Sequence, residues 1–236
     1  GIAIVAIHIQ PCFAKAFLAA VFRGWVLGSR RDLVQGGHIW GDASGTNDAC
    51  AAVAVVDRAY AGDKGLDVMA TVKADKAIQS GDLRKITAVV DAKIMPNVNF
   101  VRMTAAAVGP AWRRATPDQR QRLQNEFKTL LVRTYSNALT AYKNETIRYK
   151  PFKAGAGETD VVVRTEVVQP GNKPIPLDYS LEKQPEGWKV YDVVVAGVSL
   201  VTNYRDTFNQ EVRANGVDGL IDMLAKKNNQ MDPGRK

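Results

Sequence analysis

Residues 146–195, TIRYKPFKAGAGETDVVVRTEVVQPGNKPIPLDYSLEKQPEGWKVYDVVV, decide the fold. Turn signals at AGAG (154–157), PGNK (170–173) and QPEG (184–187) cut this stretch into four runs. The pattern predicts strands over Thr146–Phe152, Thr159–Gln169, Pro174–Lys183 and Gly187–Val195. Links this short join antiparallel neighbours, because a parallel crossover needs about a dozen residues or more. In the third run Ile175, Leu177, Tyr179 and Leu181 alternate with Pro176, Asp178, Ser180 and Glu182, so one face is buried and the other wet. The fourth starts in the same way at Trp188 and Val190, then becomes apolar on both faces at Val193, Val194 and Val195.

Helices flank this meander. Leu66–Gln79 and Asp82–Met95 carry helical spacing, the second through Leu83, Ile86, Val90 and Ile94 until Pro96 stops it. Asn99–Val108 and Pro110–Ala115 are expected as short helices separated by Gly109. Thr116-Pro117-Asp118 is a helix start: a hydroxyl cap, a proline where its missing N–H costs nothing, and an acid facing the helix dipole. The helix it opens should run to about Tyr142, with an apolar stripe of Leu123, Phe127, Leu130, Leu131, Thr134, Tyr135, Ala138 and Tyr142. After the strands, Ser199 is placed to cap a helix through Leu200, Val201, Tyr204, Phe208 and Val212. A last helix, about Val217–Lys227, should bury Leu220, Ile221 and Leu224, and the polar tail beyond it should fray. Helices, a four-strand antiparallel meander and more helices make an α+β layer fold.

Residues 1–65 read differently. Ile2–Ile9 and Ala14–Leu27 are apolar but fall short of the ~18 uninterrupted residues a membrane span needs. Ala49–Val56 has the length of a secretion-signal core, with Ala59-Tyr60-Ala61 as a small-residue cleavage site. The stretch before it, Gly41–Asp48, is acidic where such a signal is basic. The 236 residues therefore divide into a poorly patterned extension (1–65), an ordered domain (66–228) and a polar tail (229–236).

Composition narrows the chemistry. With 46% apolar and 24% charged residues the chain is globular, and at net charge +8 it is basic. Residues 1–65 carry six basic and five acidic side chains, so nearly all the surplus lies in the ordered domain. His8, His38, Cys12 and Cys50 are the only histidines and cysteines, and spacing alone does not pair the two thiols. From residue 51 onward imidazole and thiol chemistry, and with them most zinc and nucleophilic sites, are excluded. Asp160, Glu166, Asp178, Glu182 and Asp192 sit on or near strands and would form an acid/base site only if two converged in a cleft. Asp178 and Glu182 alternate with buried residues and read as a solvated face. Trp112-Arg113-Arg114 is either a nucleic-acid or phosphate patch or, the favoured reading, a packed indole with a charged flank, since helical nucleic-acid readers usually carry denser basic runs. Arg133, Arg148, Lys150, Lys153 and Arg164 are either ordinary surface charge or a patch that steers an anionic head group or an acidic partner. Val161–Val163, Val167, Val168, Val193–Val195, Val198 and Val201 exceed what one buried sheet face needs. Helices cover both faces, or the surplus lines a cavity for an apolar ligand.

Two blocks are recognisable. MPNVNFVRMTAAAVGPAWRRATPDQRQRLQNEFKTLLVRTYSNAL and GWKVYDVVVAGVSLVTNYRDTFNQEVRANGVDGLIDMLAKKN resemble the MlaC family, the periplasmic phospholipid carriers also known as toluene-tolerance proteins. The resemblance runs from about Leu66 to Asn228. It implies a cone-like sheet related to nuclear-transport-factor folds, closed by helices around both acyl chains of a diacyl phospholipid. It also implies no cofactor beyond that cargo, a monomer, and docking to an outer-membrane lipoprotein/porin complex and an inner-membrane ABC transporter. The acyl chains are then expected against Leu130, Val163, Val167, Leu177, Tyr179, Val193, Val195 and Val198. Trp112, Arg133, Tyr135 and Tyr204 are expected at the pocket mouth. Residues 1–65 depart from the family's basic-then-apolar leader and read as upstream or wrong-frame sequence. The competing readings are an enzyme of the same cone-shaped fold acting on a small apolar substrate and a basic nucleic-acid-binding module; no nucleic-acid partner is expected.

Overall fold

A computed structural model describes residues 75–140, 146–151, 157–168, 171 and 173–231. Residues 1–65 with both cysteines, most of the expected Leu66–Gln79 helix, Tyr142 and Phe152 lie outside that set. Helix α1 (Lys76–Gln79) and α2 (Leu83–Val89) start on Asp75 and Asp82, whose carboxylates accept backbone N–H groups of the first turn. The expected single helix over Asp82–Met95 instead loosens to a π turn at Val90–Ile94 and tightens to a 3₁₀ turn at Met95–Asn97. Pro96, which has no N–H to donate, sits in that last turn. Helix α3 (Phe100–Val108) is capped by Asn99, and α4 (Ala111–Arg114) follows Gly109 at φ 70°.

Thr116 opens α5 (Pro117–Thr140) as expected. Its hydroxyl accepts from Gln119 N at 3.2 Å while Gln119 Oε1 accepts from Thr116 N at 3.0 Å, a reciprocal capping box. Of the expected stripe, Leu123, Phe127, Leu130, Leu131 and Tyr135 are buried.

The sheet has five strands, not four: β1 (Thr146–Tyr149), β2 (Asp160–Val168), β3 (Ile175–Gln184), β4 (Gly187–Val195) and β5 (Val198–Ser199), in that spatial order and all antiparallel. The fifth strand follows a two-residue turn in which Ala196 (φ 49°) and Gly197 (φ 84°) both take left-handed conformations. Alanine seldom does so, which hides the hairpin from sequence reading.

The apparent two-faced apolarity of β4 has a specific cause. Ser180 pairs with Asp192 but Leu181 with Val190, leaving Tyr191 as an extra residue in a β-bulge. One extra residue reverses parity, so Trp188 and Val190 point inward before it and Val193 and Val195 after it. Val162 and Val194 belong to the outer face, where Val162 is exposed. Neither alternative for the valine surplus therefore accounts for these two residues.

Helices lie against one face and come nearest to the sheet along β4, where α3 and the last helix pack. Asn99 N also donates to Val190 O at 2.8 Å, tying the entry of α3 to the edge of β4. That last helix, α6 (Leu200–Gln230), is capped by Ser199 and broken at Gly216, whose φ 72° and ψ −172° are not helical. Its first arm runs antiparallel to α5, with Tyr204 beside Tyr135 and Phe208 beside Phe127. The second arm returns in the opposite sense, from Asp218 at Gln119 to Asn228 at Glu126. Expected helices through Val212 and from Val217 are thus the two arms, and Leu220, Ile221 and Leu224 are buried as expected. The helix continues to Gln230 with Asn228 buried, so fraying does not begin at Lys227.

The sign of one substitution tests this reversal. In an unbroken helix Gly→Ala would stabilise by ~1 kcal/mol. At Gly216 the same change should destabilise by ~1–3 kcal/mol, because its φ and ψ suit glycine almost alone. Gly219→Ala should also destabilise, since its Cβ would fall 2.2 Å from that of Asn215. Urea unfolding midpoints of both variants report the outcome.

Candidate functional site

The inner face of the sheet is built as cross-strand rows. Val163, Tyr179 and Val193 form one, and Thr165, Leu177, Val195 and Val198 the next. Val167 pairs with Ile175 beyond them, and Val161 with Leu181 and Val190 on the other side. All except Ile175 and Val198 are buried, and those two are half-buried. Each fully buried Val or Leu contributes ~1.5–3 kcal/mol of apolar transfer energy, so the rows form a strongly apolar wall. Thr165 is the polar member; its hydroxyl donates to Leu177 O at 2.7 Å and presents its methyl like a valine. Of the eight residues expected against acyl chains, seven lie on this wall and Leu130 lies on α5, buried within the same hydrophobic cluster.

Opposite the wall, α3, α5 and α6 meet in an aromatic cluster. Phe127 lies 5.8 Å from Phe100, 5.2 Å from Tyr204 and 5.3 Å from Phe208, the last two edge-to-face. Tyr135 and Tyr204 hydrogen-bond to each other through their hydroxyls, and Thr134 reaches Tyr204. Burial raises both phenols above the ordinary tyrosine range. Arg133 donates to the carbonyl of Asn228, and the Asn228 amide donates to Glu126 O and Oε2. Of the four residues expected at a mouth, Arg133, Tyr135 and Tyr204 therefore share one region. Trp112 does not. It lies on α4 with the Arg120 guanidinium 5.5 Å from its ring, and Arg120 is ~20 Å along α5 from Arg133 at 1.5 Å per residue.

The five carboxylates weighed as acid/base candidates are placed away from the wall. Asp160 and Glu182 ion-pair with Arg102, and Glu166 with Arg148 at 2.9 Å and Lys150 at 3.5 Å. Asp178 lies opposite Arg164 in the β2–β3 register. Asp192 accepts from Ser199 Oγ at 2.6 Å and from Val193 N and Val201 N, pinning the start of α6. Of the expected basic patch, Arg148 and Lys150 are thus paired with Glu166 and Arg164 faces Asp178, while Lys153 lies outside the described residues. Among the described residues no group of three His, Cys, Asp or Glu could hold a metal, and no helix is long and apolar enough to cross a membrane.

Sequence reading missed Phe100, Arg102, Thr165 and Asn228. Two of these carried a signal: Thr165 continues the alternation Val161, Val163, Val167, and Asn228 continues the i, i+4 spacing of Leu220 and Leu224.

The profile of the MlaC protein family matches residues 65–226, more than half of the chain. Toluene tolerance protein ttg2D of Pseudomonas putida is 35% identical over 126 residues, 51% of this chain and 58% of its own. The chain thus spans less than two thirds of that relative. The intermembrane phospholipid transport system binding protein MlaC of Haemophilus influenzae is 25% identical over 162 residues, 67% of this chain and 76% of its own. A solved phospholipid-binding protein from Ralstonia solanacearum, in complex with a phospholipid, superposes with TM-score 0.68 and 41% identity, covering 79% of this chain and 99% of that one.

The two phenols make an alkaline test. Unfolded tyrosines ionise near pH ~10. Tyr135 and Tyr204 hold their protons higher than that, so above it the unfolded chain binds fewer protons than the folded one and stability falls as pH rises. Tyr135→Phe should make this decline shallower, read as urea midpoints between about pH 9 and 11. An unchanged slope would mean that the Tyr135 phenol ionises freely in the folded state.

Proposed function

Because the chain belongs to the MlaC family, we propose that it is a phospholipid carrier of the bacterial periplasm, passing diacyl phospholipids between membrane-bound complexes of the Mla system and so keeping the outer membrane asymmetric. The observation that carries this reading is the phospholipid held by a solved chain with 41% identity. The apolar wall supplies the physical means.

Moving a diacyl phospholipid through water means hiding some thirty CH₂ groups, worth ~20 kcal/mol or more at ~0.8 kcal/mol each. Hydrogen bonds to a phosphate contribute ~1.5–3 kcal/mol apiece and cannot replace that term. Affinity then comes from the greasy interior, and discrimination between head groups is weak. Such an interior would lie between the sheet wall and the helices, which approach β4 most closely. In this reading the acyl chains lie against Val163, Val167, Leu177, Tyr179, Val193, Val195 and Val198, with Leu130 facing them. Arg133, Tyr135 and Tyr204 form the rim near the head group. The sheet curls as a cone around the tails, and the chain works as a monomer that needs no cofactor. Acid/base catalysis would need carboxylates inside the wall, whereas Asp160, Glu166 and Glu182 form ion pairs on the outer face and Asp192 pins the start of α6.

Organic extraction of the purified protein followed by lipid mass spectrometry tests the reading. Diacyl phospholipid should be recovered at about one molecule per chain, by the size of the apolar requirement. Leu177→Asp should lose it. Val198→Glu, at the half-buried edge of the wall, should lose most of it while circular dichroism stays native. A native chain that carries no phospholipid and takes none from vesicles would overturn the proposal.

A further inference from the structure

Trp112-Arg113-Arg114 has no part in the carrier reading, and the fold gives it company. Gly109, just before α4, lies so close to α6 that a Cβ there would stand 3.2 Å from Asn209 Oδ1. From that contact α4 leads into α5, where Gln119 donates to Asp218 beyond the kink of α6. Helix α4 thus lies beside the stretch of α6 between Asn209 and Asp218. Arg205 and Arg213 stand one turn either side of Asn209 on the same flank of α6. Arg113, Arg114, Arg205 and Arg213 therefore gather around one helix contact.

All four are exposed. Among the described residues ion pairs engage Lys85, Arg102, Lys128, Arg148 and Lys150, and none engages these four. Arg120 adds a fifth charge, its guanidinium donating to Trp112 O and Arg113 O at 3.1 Å. The carboxylates on these segments are Asp118, in the first turn of α5, Asp206 and Asp218. Glu211 turns to the other side of α6, where it lines a groove with Asn215 and Gly219. Five guanidiniums against three carboxylates leave the face basic.

What the face lacks decides what it fits. A protein partner is held by a desolvated core of aromatic or aliphatic anchors. Among the described residues the exposed large hydrophobics are Val101 and Val162, and neither belongs here. Val101 opens α3 about 12 Å from Gly109 at 1.5 Å per residue, and Val162 lies on the sheet. Trp112 is half-buried with the Arg120 guanidinium 5.5 Å from its ring, so it is no open platform for stacking a nucleobase. Unpaired positive charge without an apolar anchor is the means by which a chain rests on an anionic bilayer. We infer that the face built from α4 and the first arm of α6 holds the protein against a surface of anionic phospholipid. The inference goes beyond the carrier reading and does not depend on it. Arg120 stands ~20 Å along α5 from Arg133, so this contact leaves the proposed rim clear of the bilayer.

Co-sedimentation of the full chain with vesicles tests this. At low salt, partition onto phosphatidylglycerol mixed with phosphatidylcholine in equal parts should exceed partition onto phosphatidylcholine alone by about tenfold or more. It should collapse at ~1 M salt, where screening acts within ~3 Å. Arg113→Gln with Arg114→Gln should lower the anionic partition by about 25-fold, at ~5-fold per charge, and Arg205→Gln with Arg213→Gln by a similar factor. Arg164→Gln with Lys173→Gln removes the same charge from exposed positions of the sheet layer and should change it by less than about twofold. Circular dichroism and co-purified phospholipid of the arginine variants should match the unchanged chain. A chain without cargo that still partitions in this pattern would sink the carrier reading and uphold this one. Equal partition onto both vesicles, equal losses in the sheet and arginine variants, or retention on duplex DNA at salt that releases the vesicles would overturn the inference.

Discussion

One unpaired residue in β4 controls the rest of the structure. Without the bulge at Tyr191, strict alternation from Trp188 and Val190 would turn Val193 and Val195 outward and bring Val194 inward. Asp192 would then stand opposite Tyr179 and Val194 opposite Leu177, putting a carboxylate into the apolar wall. The bulge repairs the parity and, in the same step, frees Asp192 from the ladder's inner side. Its carboxylate accepts from the Ser199 hydroxyl and from Val201 N, which fixes where α6 begins. Strand parity and helix origin therefore depend on the same two residues.

The second constraint is coverage. A sheet of five short strands with one apolar face needs a layer of helix across it, and α5 alone cannot supply that. Gly216 lets one continuous segment pass the α5 helix twice, the first arm completing the aromatic cluster through Tyr204 and Phe208, the second adding Leu220, Ile221 and Leu224. Buried Asn228 closes the second pass on Glu126 and Arg133. A polar pair at that point favours one register of the two helices, because a slip would leave the amide without its partners.

Features that follow from a period or a local rule were legible in the sequence. The four main strands, the turn at residues 184–187, the caps at Thr116 and Ser199 and the stripe of α5 all arise from patterns of 2.0 or 3.6 residues, from a turn signal or from a hydroxyl at a helix start. What escaped was whatever breaks a period by a single residue. The bulge made β4 look apolar on both faces. The two-residue strand β5 hides behind an alanine at positive φ, and the helix expected over Asp82–Met95 changes pitch twice. The candidate site divides along the same line. The sheet-lining valines were legible because they alternate. The separation of Trp112 from Arg133 was not, because apolar and charged residues on one helix carry no sign of which end of it they serve.

Sheet topology also explains how such a chain can keep its two surfaces independent. Residues i and i+1 of a strand face opposite sides, so Val161 and Val163 serve the wall while Val162, between them, belongs to the outer face. A change on one side reaches the other only through the backbone, whose hydrogen bonds are saturated by neighbours across β2, β3 and much of β4. The proposed carrier would use that separation. Its interior must accept many lipids of similar greasiness, which calls for apolar surface without fine recognition. Its outer face instead carries fixed charges, the ion pairs of Arg102 with Asp160 and Glu182 and of Arg148 with Glu166. An antiparallel sheet with one dry and one wet face supplies both from alternate residues of the same strands.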